Sequence, residues 1–267
     1  MDRRTFSFAL AAGCLALSST PLYSQEAKQE WGNLSATFVY DGEPPEPREL
    51  VVDKEKREAF KLPLLDESLV VDAGSKGVGN VVVWLRAAKD APPKVHPSYE
   101  ESLKKPQEVL IQNGRFEPHI TTVRVGQQYI IRNGDKVGHA AKADLFYNHF
   151  NCDILIPGGT SQISFNKSEG RPVVLADVYY SWMSGYLLVL DHPYMAVSDK
   201  QGKLQIMNLP VGTHTFVLFH ELPGFIREAK RKGEVQEFKY GRLTVDIKPG
   251  DNDLGEFLIK PERKRFP

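Results

Sequence analysis

The chain has 267 residues, 41% of them hydrophobic, so it is long enough for one large or two small domains with a real core. Its 34 Lys and Arg residues balance 34 Asp and Glu residues, and the formal net charge is zero. Without a net charge there is no global field that would attract nucleic acid or an anionic membrane. We therefore expect no nucleic-acid partner.

The first 24 residues have the features of an export signal. Arg3 and Arg4 precede an apolar run, Phe6 to Leu17, that is too short to cross a bilayer as a helix. The run Arg3-Arg4-Thr5-Phe6 also resembles a twin-arginine signal. We predict a signal peptide over residues 1–24 and a periplasmic, secreted or cell-surface location. Membrane attachment is expected only if a lipid is added at Cys14.

Cysteine usage agrees with an exported chain that is stabilised by packing. The only cysteines are Cys14 and Cys152, and removal of the signal peptide would remove Cys14. No internal disulfide is then expected. Cys152 lies between Phe150 and Ile154, and we interpret it as a small buried hydrophobe. A metal-binding thiolate from an unusual position is the alternative.

From Trp31 the pattern is one of short strands and turns with almost no helical periodicity, which predicts an all-β fold. Apolar residues alternate from Leu34 to Tyr40 and predict a half-buried strand. The β-branched run Val81 to Leu85 is typical of a buried strand. Tyr99 to Lys105, in a polar connector, predicts one or two helical turns.

A second block of strands begins at Glu108 and ends with the segment Pro172 to His192. In that segment an apolar strand enters an aromatic loop, and a second apolar strand, Tyr186 to Leu190, leaves it. The third block follows. There, residues 196–199 and 203–206 flank Gln201-Gly202, which predicts a β-hairpin. The charged stretch from Arg227 to Lys239 predicts an exposed loop or a short helix.

Two family resemblances follow from these blocks. Trp31-Gly32-Asn33-Leu34, the 196–206 pattern and Asn208-Leu209-Pro210-x-Gly212 resemble the carboxypeptidase regulatory-like (transthyretin-like) β-sandwich. A long insertion separates its second strand from its third, and this insertion resembles a cupredoxin of the plastocyanin-like or methylamine utilisation type. The resemblances imply a cupredoxin-like Greek-key sandwich at 107–190. This sandwich would be inserted in a discontinuous sandwich of residues 31–88 and 191–260.

The cupredoxin resemblance implies a copper site that is only partly present. A blue-copper centre uses two imidazoles, a thiolate and a weak thioether. Gly138-His139 matches the turn that carries the first imidazole, and Met183 matches the thioether. The positions for the cysteine and the second histidine fall on Ala176 or Asp177 and on one of the tyrosines 179–180. Without a thiolate, the resemblance implies a degenerate type 1 site that cannot be blue.

Three interpretations of this loop stay open. In the first, His139 and the aromatic loop simply pack. In the second, His139, Met183 and His149, helped by Asp177 or a tyrosine phenolate, form an altered Cu(II) or Zn(II) site. In the third, exposed rings bind a sugar or a protein partner. The candidate rings are those of Phe146, Tyr147, Tyr179, Tyr180 and Trp182.

No nucleophile, base and orienting group can be assembled into a catalytic site, so we expect a non-enzymatic protein. His220-Glu221 at a strand end is interpreted as an ion pair or cap, and His192 as a structural hydrogen-bonding residue. The leading hypothesis is an exported cupredoxin-like binding or scaffold protein whose partner is a protein or glycan. A periplasmic copper-binding or redox protein with a non-standard ligand set and a carbohydrate-binding module are the alternatives.

Overall fold

The computed structural model describes residues 31–88, 91–150 and 154–262. Within these ranges the chain forms nineteen strands, one short α-helix and two 3-10 helices, so the predicted all-β fold is confirmed. The predicted signal peptide and both cysteines lie outside the described residues. In the described ranges no helix is long and apolar enough to cross a membrane.

The strands, in chain order, are β1 (Trp31–Tyr40), β2 (Val82–Leu85), β3 (Gln107–Ile111), β4 (Phe116–Glu117), β5 (Ile120–Arg124), β6 (Gln128–Asn133), β7 (His139–Ala143), β8 (Ile154–Leu155), β9 (Thr160–Ser164), β10 (Val173–Asp177), β11 (Ser184–Leu190), β12 (Met195–Val197), β13 (Lys203–Pro210), β14 (Gly212–His220), β15 (Gly224–Phe225), β16 (Glu228–Arg231), β17 (Glu234–Glu237), β18 (Arg242–Ile247) and β19 (Gly250–Ile259). The α-helix α1 is Tyr99–Lys104, where helical turns are predicted, and the 3-10 helices are Lys54–Ala59 and Lys239–Gly241.

These strands form four sheets among the described residues, arranged as two sandwiches. The outer sandwich combines sheet 1, in the order β13-β1-β19-β16-β17, with sheet 2, in which β12, β2 and β14 are neighbours and β15 and β18 both pair with β14. The inner sandwich combines sheet 3, β5-β11-β10-β7-β8, with sheet 4, β4-β3-β6-β9. Separate folding of the two sandwiches as domains with the predicted boundaries stays a prediction.

The core of the outer sandwich follows from the alternation in β1. Successive side chains of a strand point to opposite faces, so Leu34, Ala36, Phe38 and Tyr40 all enter the core. They meet residues of sheet 2 such as Phe216. Strand β1 is held on both sides, because it pairs antiparallel with β13 and parallel with β19.

The two sandwiches stack so that sheet 2 packs against sheet 3. Leu187 of β11 enters the inner core while Leu188 enters this interface, where Trp84 of β2 meets it. Continuous apolar runs are expected of strands that are buried on both faces. A buried Leu contributes about 1.5–3 kcal/mol. A hydrogen bond between the His119 ring and Glu221, which follows the end of β14, also joins the sandwiches, and Nδ1 of His220 accepts the N–H of Leu222.

A segment between β1 and β2 leaves the outer sandwich and covers the inner one. We call residues 48–66 the strap. Its side chains Val52, Phe60 and Leu64 are buried in the inner core rather than in the outer one. The sequence range 31–88 thus contributes to both sandwiches. The strap matters for function because Phe60 reaches the end of the inner sandwich where the copper ligands are predicted.

The hairpin predicted around Gln201-Gly202 is wrong. A turn is present, since the N–H of Gly202 donates to Asp199 O at 2.9 Å. However, β12 pairs with β2 in sheet 2, whereas β13 pairs with β1 in sheet 1. The reason is that the carbonyl of Gly202 accepts the N–H of Phe38, which draws the chain to the other sheet. The turn is a corner of the sandwich.

The charged stretch Arg227–Lys239 is neither a loop nor an α-helix. It forms the hairpin β16–β17, in which Glu228 faces Glu237 and Arg231 faces Glu234. All four residues of β17 are exposed and only Ala229 of β16 is buried, so β17 lacks the buried face by which sequence patterns reveal strands.

Candidate functional site

The predicted copper-site residues meet where β7 begins and β10 ends. These strands are antiparallel neighbours, with Asp177 opposite Ala141. His139 is the first residue of β7, and Asp177 is the last of β10. The turn between β6 and β7 brings Asp135 to the same end of the sandwich. Three ionisable side chains from three positions in the chain therefore converge.

Both ring nitrogens of His139 are held by carboxylates. Its Nδ1 lies 3.2 Å from Oδ2 of Asp177, and its Nε2 lies 3.1 Å from Oδ2 of Asp135. The His139 side chain is fully buried. Where both carboxylates are ionised they can only accept hydrogen bonds, so both nitrogens then donate and the ring is an imidazolium. We call these three side chains the ion triad.

Asp177 is bound by backbone as well as by the imidazolium. Its Oδ2 accepts the N–H of Ala140 at 3.0 Å. Its Oδ1 accepts the N–H groups of Tyr179 and Tyr180 at 2.8 and 3.0 Å. The carboxylate thus caps the first turn of the aromatic loop and ties it to β7, which is a structural role for this strand end.

Asp135 makes the matching contacts on the other side. Its carboxylate accepts the N–H of Asn113 at 2.5 Å and that of Gly114 at 2.8 Å. Gly114 has a φ of +65°, and a Cβ there would lie 3.1 Å from the Phe60 ring and 3.3 Å from Trp182 Nε1. A glycine is therefore needed for both the backbone conformation and the close approach.

The pKa shifts of His139 and Asp135 favour the charged forms of these two groups. Burial alone would lower the pKa of His139, but hydrogen bonds and charge from Asp135 and Asp177 outweigh burial and raise it. Burial alone would raise the pKa of Asp135, but hydrogen bonds, with His139 first among the donors, lower it. For Tyr180, burial raises the pKa, and the charges of both carboxylates raise it further. A phenolate ligand at Tyr180 is thus disfavoured.

Three aromatic rings and one lysine pack around the ion triad and the loop beside it. The ring of Tyr180 lies 4.9 Å from the ring of His139 and 5.2 Å from that of Phe60, which comes from the strap. Trp182 contacts both Tyr180 and Phe60. Lys56 donates to Tyr179 O at 2.8 Å, and its ammonium lies 5.3 Å from the Tyr180 ring centroid. These contacts give the loop a packing role and cover most of its aromatic surface.

The structure brings only some of the predicted metal ligands together. Met183 is buried in the inner core, where its N–H donates to Tyr180 O. His149 is exposed on the long loop after β7. Within the described residues, no group of three or more His, Cys, Asp or Glu side chains could hold a metal ion.

The predicted aromatic surface is divided. Tyr179 is 46% exposed, whereas Tyr180 is buried and Trp182 is half-buried. Phe146 and Tyr147 follow the end of β7 opposite to His139, because β7 runs away from the triad. These two rings therefore belong to the other end of the inner sandwich and do not share a surface with Tyr179.

The donor set does not fit a type 1 copper ion. A metal needs a free lone pair on an imidazole nitrogen, and each nitrogen of His139 already lies within hydrogen-bonding distance of a carboxylate oxygen. A carboxylate already bound by three backbone N–H groups and the imidazolium stands at the end of β10. The copper chemistry of the resembled family therefore has no ligand set in the described part of this chain.

No family model and no curated protein matches the chain. Among solved structures, a purple cupredoxin from Nitrosopumilus maritimus is similar, with 19% identity over 31% of this chain and 97% of that protein and a TM-score of 0.28. A copper-containing nitrite reductase from Thermus scotoductus SA-01 has 20% identity over 39% of this chain, which spans 25% of the reductase, with a TM-score of 0.29. An oxidised amicyanin variant has 14% identity over 32% of this chain and 81% of its own, with a TM-score of 0.29. The structural neighbours are thus cupredoxins over a minor part of the chain, and the likeness concerns the fold alone.

Sequence reasoning missed three contributors to the site. Asp135 is recognisable only as part of a turn signal, Asn133-Gly134-Asp135. In the chain, Lys56 and Phe60 come before β3, the first strand of the inner sandwich, by about half the length of a typical domain. Nothing in the residues around them indicates a contact with His139. The spacing between Asp135 and His139 could have indicated their contact. Asp135 lies four residues before His139, and a tight turn between them brings the two side chains within reach of each other.

Proposed function

We propose that this chain is an exported, non-enzymatic binding or scaffold protein in which a cupredoxin-like sandwich carries an internal ion triad in place of copper. The observation that supports this most directly is that both nitrogens of His139 donate to carboxylates. An imidazolium repels a metal cation, and removing its protons would leave two buried carboxylates without their donor. Electron transfer through this position is therefore disfavoured.

The outer sandwich is proposed to be of the carboxypeptidase regulatory-like type and to hold the inner one in a fixed orientation. Support comes from the apolar interface between sheets 2 and 3, which includes Trp84 and Leu188, and from the hydrogen bond between His119 and Glu221. A fixed pair of sandwiches suits a scaffold, because surfaces at both ends of the molecule keep one relative position.

An apolar surface beside the triad supports a binding role. Ile154, Ile156, Val178 and Tyr179 are all exposed, the first two by 65% and 68%. Val178 and Ile154 flank Ala140 on one face of sheet 3, since the N–H of Val178 donates to Ala140 O and Ala140 pairs with Ile154. Clustered exposed hydrophobic residues mark protein-binding surfaces more often than isolated ones do.

Metal analysis and Cu(II) titration of the purified mature protein test the proposal. We expect no stoichiometric copper after purification and no tight Cu(II) binding that depends on His139. His139→Ala is the matched variant, and it should bind Cu(II) as wild type does. Stoichiometric copper with an intense thiolate absorption band would overturn the proposal.

A second candidate function is metal handling with a non-standard ligand set. The observation in its favour is that Asp135 and Asp177 both lie within hydrogen-bonding distance of His139, although the three side chains are not arranged as a metal-binding group in this structure. A divalent cation would have to displace one proton from the imidazolium to bind a ring nitrogen, so its binding should be pH-dependent. Tight Cu(II) binding without a thiolate band, abolished in His139→Ala, would support this candidate over the first.

A further inference from the structure

A second built surface lies at the end of the inner sandwich opposite to the triad. Its centre is Glu169, which is buried to all but 4%. The Glu169 carboxylate accepts the backbone N–H groups of Phe146 at 2.7 Å and of Tyr147 and Asn148 at 3.1 Å each. Three successive N–H groups on one carboxylate fix the conformation of the loop that carries them.

The side chain of Asn148 ties this loop to the next one. Its Nδ2 donates to Glu169 at 2.7 Å and to Lys167 O at 2.8 Å. Its Oδ1 accepts the N–H of Asn166 at 2.8 Å and that of Lys167 at 3.2 Å. Residues 144–150 and 166–171 therefore form one rigid unit, which we call the aromatic platform.

The platform holds two aromatic rings in solvent. Phe146 is 56% exposed and Tyr147 is 64% exposed. The guanidinium of Arg171 lies 4.2 Å from the centroid of the Phe146 ring. Exposed rings add little to folding, yet a buried carboxylate and a fully bonded Asn side chain are used to fix their backbone. Such fixed, exposed aromatic residues are typical of binding sites.

The size of the platform favours a small ligand over a protein. A stable protein interface buries about 800 Å² on each partner. A whole aromatic side chain buries about 150–250 Å², and only part of each ring is free here. The exposed aliphatic residues Ile154, Ile156 and Val178 do not extend the platform, because they lie toward the triad end. Arg171 already lies against the Phe146 ring, so the Tyr147 ring is left to match the face of one sugar unit.

The exposed cations of the platform offer contacts to an anionic group on a ligand. Its exposed charged residues include the cations Lys167 and Arg171 and the anion Asp144, while the charge of Glu169 is buried and bonded. The guanidinium group binds carboxylates with two parallel hydrogen bonds. A sugar ring with a carboxylate presents both of the features that the platform can recognise.

We propose that Phe146, Tyr147 and Arg171 form a binding site for an acidic saccharide of the uronic-acid type. Tyr147 stacks on the C–H face of a sugar ring, and Arg171, positioned on Phe146, pairs with the sugar carboxylate. Glu169 is a positioning residue that holds both rings. The inference rests on the proposed binding function, for which it names a ligand class, but it concerns a different part of the molecule from the ion triad.

Calorimetric titration of the mature chain with a galacturonic acid tetramer tests the proposal. Tyr147→Ala and Arg171→Ala should each weaken binding about tenfold or more. Tyr240→Asn is the matched control, because Tyr240 is also exposed and lies near two cations, Lys239 and Arg242, but in the outer sandwich. Its binding should equal that of wild type. Asn is chosen because the φ of Tyr240 is +58°.

Glu169→Gln tests whether Glu169 acts by holding the loop in place or by contacting the ligand. The variant should weaken binding and also speed amide hydrogen exchange at residues 146–148, whereas Tyr147→Ala should leave that exchange unchanged. Faster exchange together with unchanged affinity would overturn the positioning role.

Three outcomes would overturn the ligand class. They are no binding of the tetramer, equal binding of a neutral galactose tetramer, and equal binding of a glutamate tetrapeptide, which would indicate an acidic protein instead. Copper analysis of the same sample keeps the two proposals apart. Stoichiometric copper defeats the proposed function, whereas failed saccharide binding with no copper defeats only the platform proposal.

Discussion

The Nδ1 nitrogen of His139 lies 3.2 Å from Oδ2 of Asp177, and neither side chain is exposed to solvent. A charged pair in that position is costly unless every donor and acceptor is satisfied. Here Asp135 satisfies the second ring nitrogen, and backbone N–H groups satisfy the remaining carboxylate oxygens. The beginning of β7 and the end of β10 are thereby held together by hydrogen bonds.

Removing Asp177 should be among the most damaging single changes in the inner sandwich. Asp177→Ala leaves a buried imidazolium with one partner and three backbone N–H groups without an acceptor, so we expect a loss of about 3–5 kcal/mol in the free energy of unfolding. Denaturant unfolding measures this loss. The exposed Asp246→Ala on β18 is the control and should change stability by less than about 0.5 kcal/mol. Equal effects of the two changes would contradict the role of the triad.

Acidification should destabilise the fold through two other histidines. Burial lowers the pKa of His192 to about 4, and burial, followed by the nearby His119, lowers the pKa of His220 to about 4. The unfolded chain takes up these protons near pH 6.5, whereas the folded chain does so only near pH 4. Stability therefore falls as the pH drops from 6.5 to 4, by up to about 3 kcal/mol for each histidine.

His220→Gln should flatten that loss between pH 6.5 and pH 4, as seen in denaturant unfolding across this range. At pH 7.5 the ring is neutral in both states, so the effect of the substitution there measures only the lost packing and the lost hydrogen bond from Leu222 N–H. A pH profile parallel to that of wild type would count against buried neutral His220.

Gly114→Ala should disturb the contact between the strap and the triad. Its φ of +65° strains any other residue, and the new Cβ would lie 3.1 Å from Phe60. We expect a loss of about 1–3 kcal/mol. Gly255→Ala is the control that measures backbone strain alone. The φ of Gly255 is +72°, and a Cβ there would have no neighbour within 4 Å among the described atoms. A loss no larger than that of Gly255→Ala would mean that the strap moves aside freely.

Leu188→Ala should uncouple the sandwiches, whereas Leu187→Ala should not. The two residues are adjacent in β11, but Leu188 faces the interface with sheet 2 and Leu187 faces the inner core. Each change should cost about 2–5 kcal/mol. Calorimetry should resolve two unfolding transitions in Leu188→Ala and a greater loss within the inner sandwich in Leu187→Ala. Identical thermograms would contradict the assignment of faces.

Local patterns predicted the strands where burial alternates or is complete. Strand β1 shows the predicted alternation residue by residue, and the segment from Val173 to Leu190 forms two neighbouring strands, β10 and β11. The predicted helical turns appear as α1. In each case the information lies within a few residues of the chain, because burial and hydrogen bonding repeat with the period of the element.

Features that depend on distant contacts could not be predicted in this way. A turn such as Asp199 to Gly202 looks the same in a hairpin and at a sandwich corner, and the N–H of Phe38 decides between them. Similarly, the sequence Gly138-His139 is compatible with a histidine that binds a metal and equally with a histidine that is protonated on both ring nitrogens. Only the carboxylates of Asp135 and Asp177, one of them 38 residues away, determine its protonation.

The parallel pairing of β1 with β19 bears on the order of folding during synthesis. Residues from Gly32 to Tyr40 pair with residues from Gly250 to Ile259, so the first described strand finds this neighbour only after the ribosome has made the last one. Every strand of the inner sandwich, β3 to β11, is complete long before then. Long-range pairing of this kind is slow because the intervening loop must close first. The inner sandwich is thus able to form on the nascent chain before β19 has been synthesised and can pair with β1.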